Sequence, residues 1–297
     1  MPTTTSSSSW SDVPLPVSVG GHLEQVSDAQ MQAYADLIYR RTGIHVSPQK
    51  KTLLSNRLRR RLRNTGIESF EDYFKHLKKL SPSDPEWDAF LQEITTHETY
   101  LFRDEAQWDW FRKSFLPDFV SHVQDAHLPK RLRVWSAACS TGDEAITVAA
   151  CVASAIPNVS AWKIEIVGTD IGVGAVEQAR SAVFGERAMR LVPKDLQQKY
   201  FQMAKDAKIW QAKPEIKAMT TFRQHNLMEP LRERPFDITF LKNVLIYFDA
   251  TSKRKVLDNV KALVAPGGLL VAGAAEGVSD LLKDFVRIQP WLYQRPE

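Results

Sequence analysis

The chain has 297 residues, of which 43% are hydrophobic and 25% charged, and carries a formal net charge of +4. That is room for one large domain or two small ones around a proper core, in the composition of an ordinary globular protein. Two cysteines, Cys139 and Cys151, show neither CxxC nor zinc spacing, so no metal site and no disulfide framework are expected, and a reducing cytoplasm is the default. No run reaches the ~18 apolar residues of a membrane span, and the start lacks the basic and apolar blocks of a signal peptide.

Residues 1–24 are rich in Ser, Thr and Pro and bury little, so a disordered tail is expected there. From Ser27 the signals are helical, giving an all-α domain over 25–92. Met31, Tyr34, Ala35 and Ile38 lie at helix spacing between a Ser27 or Asp28 cap and a Gly43 stop. Ser47-Pro48 opens a second helix with Leu54, Leu58 and Leu62 on one face, ending near Gly66. Ser69 with Asp72 resembles a capping box before a third. After Ser81-Pro82-Ser83 comes a fourth with Trp87, Phe90, Leu91 and Ile94.

From Leu132 strands alternate with helices. Leu132–Trp135, Ile164–Thr169, Asp237–Leu241 and Leu269–Gly273 are the candidate strands of a parallel sheet covered on both faces. The catalytic unit is expected over 93–297, with a small antiparallel β insertion at about 190–224, where KIWQA and MTTFRQ suit short exposed strands.

The first strand breaks into SAACSTGDE, and an apolar helix, Ala145 to Ala155, follows. A strand that turns tightly into a helix brings backbone N–H groups close to a ligand, and the lone Gly142 is expected to provide that close approach. The second strand ends in Asp170, where nucleotide-like cofactors have their ribose hydroxyls held. One glycine where GxGxxG is needed argues against a nicotinamide dehydrogenase. Taken singly, Asp170 also reads as a helix cap, Arg103 as a surface ion pair, His97 as an interhelix hydrogen bonder and Tyr247 as core packing. Cys139 reads as a small packing residue.

Five segments in order carry a resemblance: TTHETYLFRD (Thr95–Asp104), RVWSAACSTGDEA (Arg133–Ala145), GTDIGVGAVEQARSAVF (Gly168–Phe184), FDITFLKNVLIYFD (Phe236–Asp249) and GGLLVAGAAEGVSDLLKDF (Gly267–Phe285). Together with ADLIYRRTGIHV they resemble the CheR family, the chemotaxis receptor methyltransferases, which methylate receptor glutamates using S-adenosylmethionine. The resemblance implies a Rossmann-like methyltransferase domain behind the helical one. It places His97, Thr99 and Arg103 in an interdomain motif that closes over the cofactor, and Glu144 at the methionine end. It places Asp170 at the ribose, Asn226-Leu227 beside the adenine, Asn243-Val244 on the other wall and Tyr247 near the methyl group. Arg103 and Tyr247 are the candidates for handling the acceptor carboxylate.

Lys50, Lys51, Arg57, Arg59, Arg60, Arg61 and Arg63 crowd the second helix with no acid between Pro48 and Ile67. Such a run is usually a solvated face, but this bias points to acidic partners, either phosphates or glutamate-bearing helices. The resemblance favours receptor helices, with Lys50, Arg57, Arg60 and Arg61 as substrate contacts and nucleic acid excluded. A cytoplasmic enzyme recruited to membrane receptor arrays follows. An S-adenosylmethionine enzyme acting on RNA or another acidic substrate is the alternative, and a non-catalytic cofactor sensor a third.

Three places depart from the family pattern: Asp143-Glu144-Ala145 for Glu-Pro-Tyr, Lys242 for an arginine before Asn-Val, and Gly273-Ala274-Ala275-Glu276 for a Gly-His-Ser-Glu type segment. Relatives that dock a receptor's tail peptide use a glycine-containing loop in the insertion. MAKDAKIWQAKPEIK has no glycine, so tethering by a tail pentapeptide is not expected.

Overall fold

A computed structural model describes residues 24–204, 208–273 and 276–297. The expected tail thus lies almost wholly outside the described residues. The first four helices are α1 (Asp28–Thr42), α2 (Lys51–Thr65), α3 (Phe70–Lys79) and α4 (Pro85–Ile94). A capping box joins Ser27 and Gln30 at the start of α1, and Gly43 and Gly66 end α1 and α2 in the left-handed conformation. Ser69 accepts from the Asp72 N–H, but the Asp72 carboxylate bonds the Ser69 hydroxyl, so only half of the expected box forms. Tyr34, Leu58, Tyr73, Leu77 and Phe90 close a core of their own.

Two helices that the sequence reading does not assign follow, α5 (Glu105–Trp110) and α6 (Leu116–Asp125), joined by a wide turn of π-helix over Phe111–Phe115. They carry an aromatic ladder in which Trp108 stacks on Phe240 with ring centroids 5.3 Å apart.

The main sheet has seven strands in the order β6-β2-β1-β7-β8-β10-β9. Its parallel part is β1 (Arg131–Ala137), β2 (Lys163–Asp170), β6 (Thr220–Gln224), β7 (Phe236–Leu241) and β8 (Val264–Ala272). A C-terminal antiparallel pair, β9 (Val286–Gln289) and β10 (Leu292–Gln294), extends it. β1 is buried from Leu132 onward, and α7 (Asp143–Ala155) packs on it almost without exposed residues through Val152. Strands covered on both faces lose the alternation of a one-sided strand, and hence read as apolar runs. The chain runs from β1 outward to β2 and β6, then returns to β7 on the other side of β1. That reversal opens a crevice at the carboxyl ends of the strands.

The insertion differs from the expectation. Its three-stranded sheet, β3-β5-β4, begins earlier, with β3 (Val183–Gly185), β4 (Phe201–Met203) and β5 (Ile209–Ala212). KIWQA holds β5, but MTTFRQ is β6, an edge of the main sheet paired in parallel with β2. Phe222 is the one buried residue of β6, so an edge strand with a single inward side chain looks like an exposed hairpin.

The helical domain sits over the crevice. Ile44 bridges to Phe248, the His45 N–H donates to the Tyr247 carbonyl (2.8 Å), and the Tyr39 hydroxyl donates to Asp249 (3.0 Å). On the other side Gln224 donates to Asp88 (2.7 Å) and the Ala175 N–H to Gln92 (3.2 Å). Gly43 lies in this seam: a Cβ there would come within 2.4 Å of the Met228 sulfur, whereas none at Gly66 would meet anything. Gly66→Ala therefore loses only left-handed backbone freedom, about 1 kcal/mol. Gly43→Ala adds a clash across the seam and should lower the urea midpoint distinctly more; equal shifts in the two variants would show that Met228 yields freely.

Candidate functional site

The turn after β1 is built from left-handed residues. Ala138, Ser140 and Gly142 have φ of 60°, 51° and 87°. Non-glycine residues hold that conformation only where their surroundings over-determine it. The Ser140 N–H donates to Asp170 Oδ2 (2.8 Å) and its hydroxyl to the His97 carbonyl (2.9 Å). The other Asp170 oxygen accepts the Gly172 N–H (2.9 Å). Gly142 does not face the crevice: a Cβ on it would lie 2.8 Å from Ala179 Cβ. Its glycine serves packing against α8 (Val173–Ser181), and the part of the turn that lines the crevice is Ala138–Ser140.

Glu144 stands in the first turn of α7. Ser136 donates to its Oε1 (2.8 Å), and Lys242 Nζ lies 3.6 Å from Oε2. Burial raises its pKa, the neighbouring Lys242 opposing the shift. Lys242 also reaches Asp104 (3.1 Å), with its side chain only 3% exposed. His97 Nε2 lies 2.6 Å from Thr95 Oγ1, whose own proton goes to the Leu91 carbonyl. The ring therefore donates through Nε2. Its Nδ1 faces Asp170 at 3.6 Å, and burial lowers its pKa against the pull of Asp170.

The opposite wall is Asn243-Val244 and a turn of 3-10 helix over Leu245–Tyr247. Asn243 has φ of 57°, and Glu276, fully buried, holds this loop by accepting the Val244 N–H (3.1 Å). The second oxygen of Glu276 has no partner among the described residues, and burial raises its pKa. Asn226 bonds the Arg41 carbonyl of α1 (2.8 Å) and accepts the Met228 N–H (3.0 Å), which fixes Leu227 beneath the seam.

One cavity of about 250 Å³ collects nearly all of the expected residues: His97, Thr99, Arg103, Glu144, Asp170, Asn226, Leu227, Asn243, Val244, Tyr247, Lys50 and Arg57. Arg57 reaches it by donating to the Ile94 carbonyl and Thr96 (2.9 Å), and Lys50 lies 5.7 Å from the Tyr247 ring. Arg60 and Arg61 are elsewhere. Arg60 pairs with Glu93 (2.6 Å), and Arg61 forks onto Glu86 (2.5 and 3.0 Å), which also accepts the Tyr73 hydroxyl. Lys51 pairs with Asp28 (2.7 Å). The acids that balance α2 come from other helices, so the run in sequence overstates the charge free to meet a partner. His225 and Trp108 carry no local signal that would place them at the site, while Lys242 and Glu276 are marked in sequence only as parts of segments that depart from the family pattern.

Two family models match the chain, the CheR methyltransferase all-alpha domain over residues 29–95 and the CheR methyltransferase SAM binding domain over residues 97–290. The chain belongs to the CheR methyltransferase family. A chemotaxis protein methyltransferase of Salmonella typhimurium is 31% identical over 264 residues, covering 88% of each chain. That of Escherichia coli is 32% identical over 266 residues, again covering 88% of each. A second Pseudomonas aeruginosa enzyme, chemotaxis protein methyltransferase 2, is 32% identical, covering 82% of this chain and 85% of its own. The protein is thus an S-adenosylmethionine-dependent methyltransferase with the fold of that family.

The CheR cavity fits its cofactor. Glu144 and Asp104 share one cation, Lys242, so the cluster is one positive charge short and complements a ligand that brings an ammonium. Ile171, Leu227 and Val244 supply an apolar lining. Asp170 keeps a second lone pair on each oxygen for ligand hydroxyls.

Asp143, next to Glu144, has a different role. It is buried outside the cavity, bonded by the Thr141 hydroxyl (2.6 Å), and burial pushes its pKa from 3.8 to about 6. The folded chain holds this proton where the unfolded chain has lost it, so stability is lost as pH rises from about 4 to 6 and stays lower above. Asp143→Asn should therefore be more stable than the parent at pH 7.5, by on the order of 2 kcal/mol, and nearly equal at pH 4. Urea midpoints at the two pH values measure this, and a variant destabilised at pH 7.5 would contradict it.

Proposed function

We propose that this CheR-family enzyme methylates glutamate side chains on the cytoplasmic helices of chemoreceptors, giving glutamyl methyl esters for adaptation. The reading is carried by one cavity between the two domains that combines a cation-deficient acidic end with a rim of Arg103, Tyr247, Lys50 and Arg57. Such a rim suits a carboxylate acceptor.

When bound, S-adenosylmethionine would supply a sulfonium methyl to the acceptor carboxylate oxygen, its sulfur leaving with the electron pair of the broken C–S bond. A glutamate is already ionised, with an ordinary pKa of about 4.3, so the protein need move no proton. Its task is to hold the reacting atoms in line. In this scheme Glu144 takes the ammonium and Asp170 the ribose hydroxyls, and His97, Thr99 and Arg103 close the near side. Asn226-Leu227 and Asn243-Val244 flank the base. Arg103, which can grip a carboxylate in forked fashion, orients the acceptor beside Tyr247. Left-handed Phe102 and Asp104 on either side of Arg103 (φ 58° and 67°) fix where it points.

Lys50 and Arg57 remain as substrate contacts, since Arg60 and Arg61 are held by acids of the helical domain itself. Those ion pairs also weigh against RNA, which needs free cations along a face. The enzyme acts from the cytoplasm and reaches receptor arrays through its substrate. Among the described residues no helix is long and apolar enough to cross a membrane.

The test is radiolabelled S-adenosylmethionine with membranes carrying the receptors, followed by base release of methanol. Arg103→Ala should lower kcat/KM at least about a hundredfold through lost positioning. Base-stable label, or labelled RNA whose yield falls steeply with salt, would replace this reading with the alternative. Only five residues separate β4 from β5, and 205–207 among them lie outside the described residues. Titration of the enzyme with an isolated receptor C-terminal pentapeptide should give no micromolar complex; such a complex would establish tethering.

A further inference from the structure

Lys242 is the least exposed lysine to touch the site, and it touches two parts of it at once. Its ammonium lies 3.6 Å from Glu144 Oε2, 3.1 Å from Asp104 Oδ2 and 3.4 Å from the Arg103 carbonyl, over the Trp108 ring at 5.0 Å. The Arg103 loop that it meets is strained. Phe102 and Asp104 are both left-handed, and the loop is held by the Phe102 N–H on Thr147 (3.1 Å), Trp108 Nε1 on the Arg103 carbonyl (2.6 Å) and Lys242. Of these ties, only that of Lys242 continues to Glu144.

We propose that Lys242 is a positioning residue that couples occupation of the Glu144 end of the cavity to the setting of the Arg103 loop. The inference rests on Glu144 receiving the cofactor's ammonium. A lysine ammonium carries three donors around one charge, which can be divided between two acids. Without ligand, Glu144 and Asp104 compete for it. A second cation at Glu144 cancels that acid's pull, and Lys242 is left to Asp104 and the Arg103 carbonyl. The loop then tightens with the cofactor in place, before an acceptor arrives. Coupling of this kind has two sites, two loop states and a ligand that contacts one of them differently.

Hydrogen exchange over residues 102–108, with and without S-adenosylhomocysteine, tests the coupling in the whole protein without any receptor. In the parent, ligand should slow exchange there by at least about fivefold. At saturating S-adenosylhomocysteine, Lys242→Met and Asp104→Asn should each lose this protection, with kcat on receptor membranes down at least about tenfold. Lys242→Arg, which keeps the charge and donors, should restore kcat to within about threefold. Ligand-induced protection retained in Lys242→Met with kcat unchanged would overturn the proposal. So would joint loss of binding and thermal stability in both Lys242→Met and Asp104→Asn, which would make the cluster merely structural. Glu144→Gln separates the premise from the inference: unchanged affinity there removes Glu144 from the ammonium site whatever Lys242 does.

Discussion

The carboxylate of Asp170 joins three pieces of chain that must meet for a cavity to exist. One oxygen takes the Ser140 N–H of the turn after β1, and the other takes the Gly172 N–H at the start of α8. Through Ser140, whose hydroxyl bonds the His97 carbonyl, the same node reaches the segment that links the helical and catalytic domains. Buried carboxylates are tolerated when their lone pairs are met, and backbone donors meet them here without using up both oxygens. Asp170 does not cap α8, whose N-cap is Gly172 without a side-chain bond; it closes a local turn onto the Gly172 N–H and keeps lone pairs free for a ligand. The left-handed setting of Ser140 (φ 51°) is held by this node through its N–H and hydroxyl.

Electrostatics divides the molecule differently from the sequence. The basic run on α2 looks like a single surface, yet Glu86 and Glu93 of α4 and Asp28 of α1 absorb much of it. Arg61 with Glu86 and Tyr73 forms a partly buried cluster whose loss would leave an uncompensated charge, so its role lies in stability of the helical domain. Around the cavity the balance is reversed. Glu144, Asp104 and Lys242 leave one negative charge over, while Arg57 and Lys50 face the rim. In the proposed scheme the surplus acid suits the cofactor's ammonium, and the rim cations suit an anionic acceptor.

Local periodicity and caps made much of this legible. Helix α1 is bounded by Ser27 and Gly43 and β2 ends at Asp170, as short-range rules predict, while the apolar helix expected from Ala145 starts two residues earlier, at Asp143. What escaped depended on distance along the chain. β6 has one inward residue, Phe222, so its pairing with β2 some fifty residues earlier left no pattern. Arg61 finds its acid 25 residues away, and Lys242 donates to a carbonyl 139 residues away. The lone Gly142 was legible as a special position but not as to its reason, because Ala179, the atom it makes room for, belongs to another helix. Glu276 was visible only as the retained end of a divergent segment, although it holds the Asn243-Val244 wall.

The seam between the domains explains why the site needs both. Its ties are mostly single hydrogen bonds to backbone or exposed polar groups, such as Asn226 to the Arg41 carbonyl and Gln224 to Asp88. Each of these is individually modest, since folding exchanges it against water. Close packing supplies the register: Gly43 admits Met228, and Gly172 admits Gln92 and the His97 ring. A seam of this type fixes position by shape and leaves the energy of closure small. For a reaction that needs no proton transfer and depends on alignment, that is a workable division. The helical domain contributes Lys50 and Arg57 to the enclosure, and His97 and Thr99, at the start of the segment matched by the SAM binding domain, complete it.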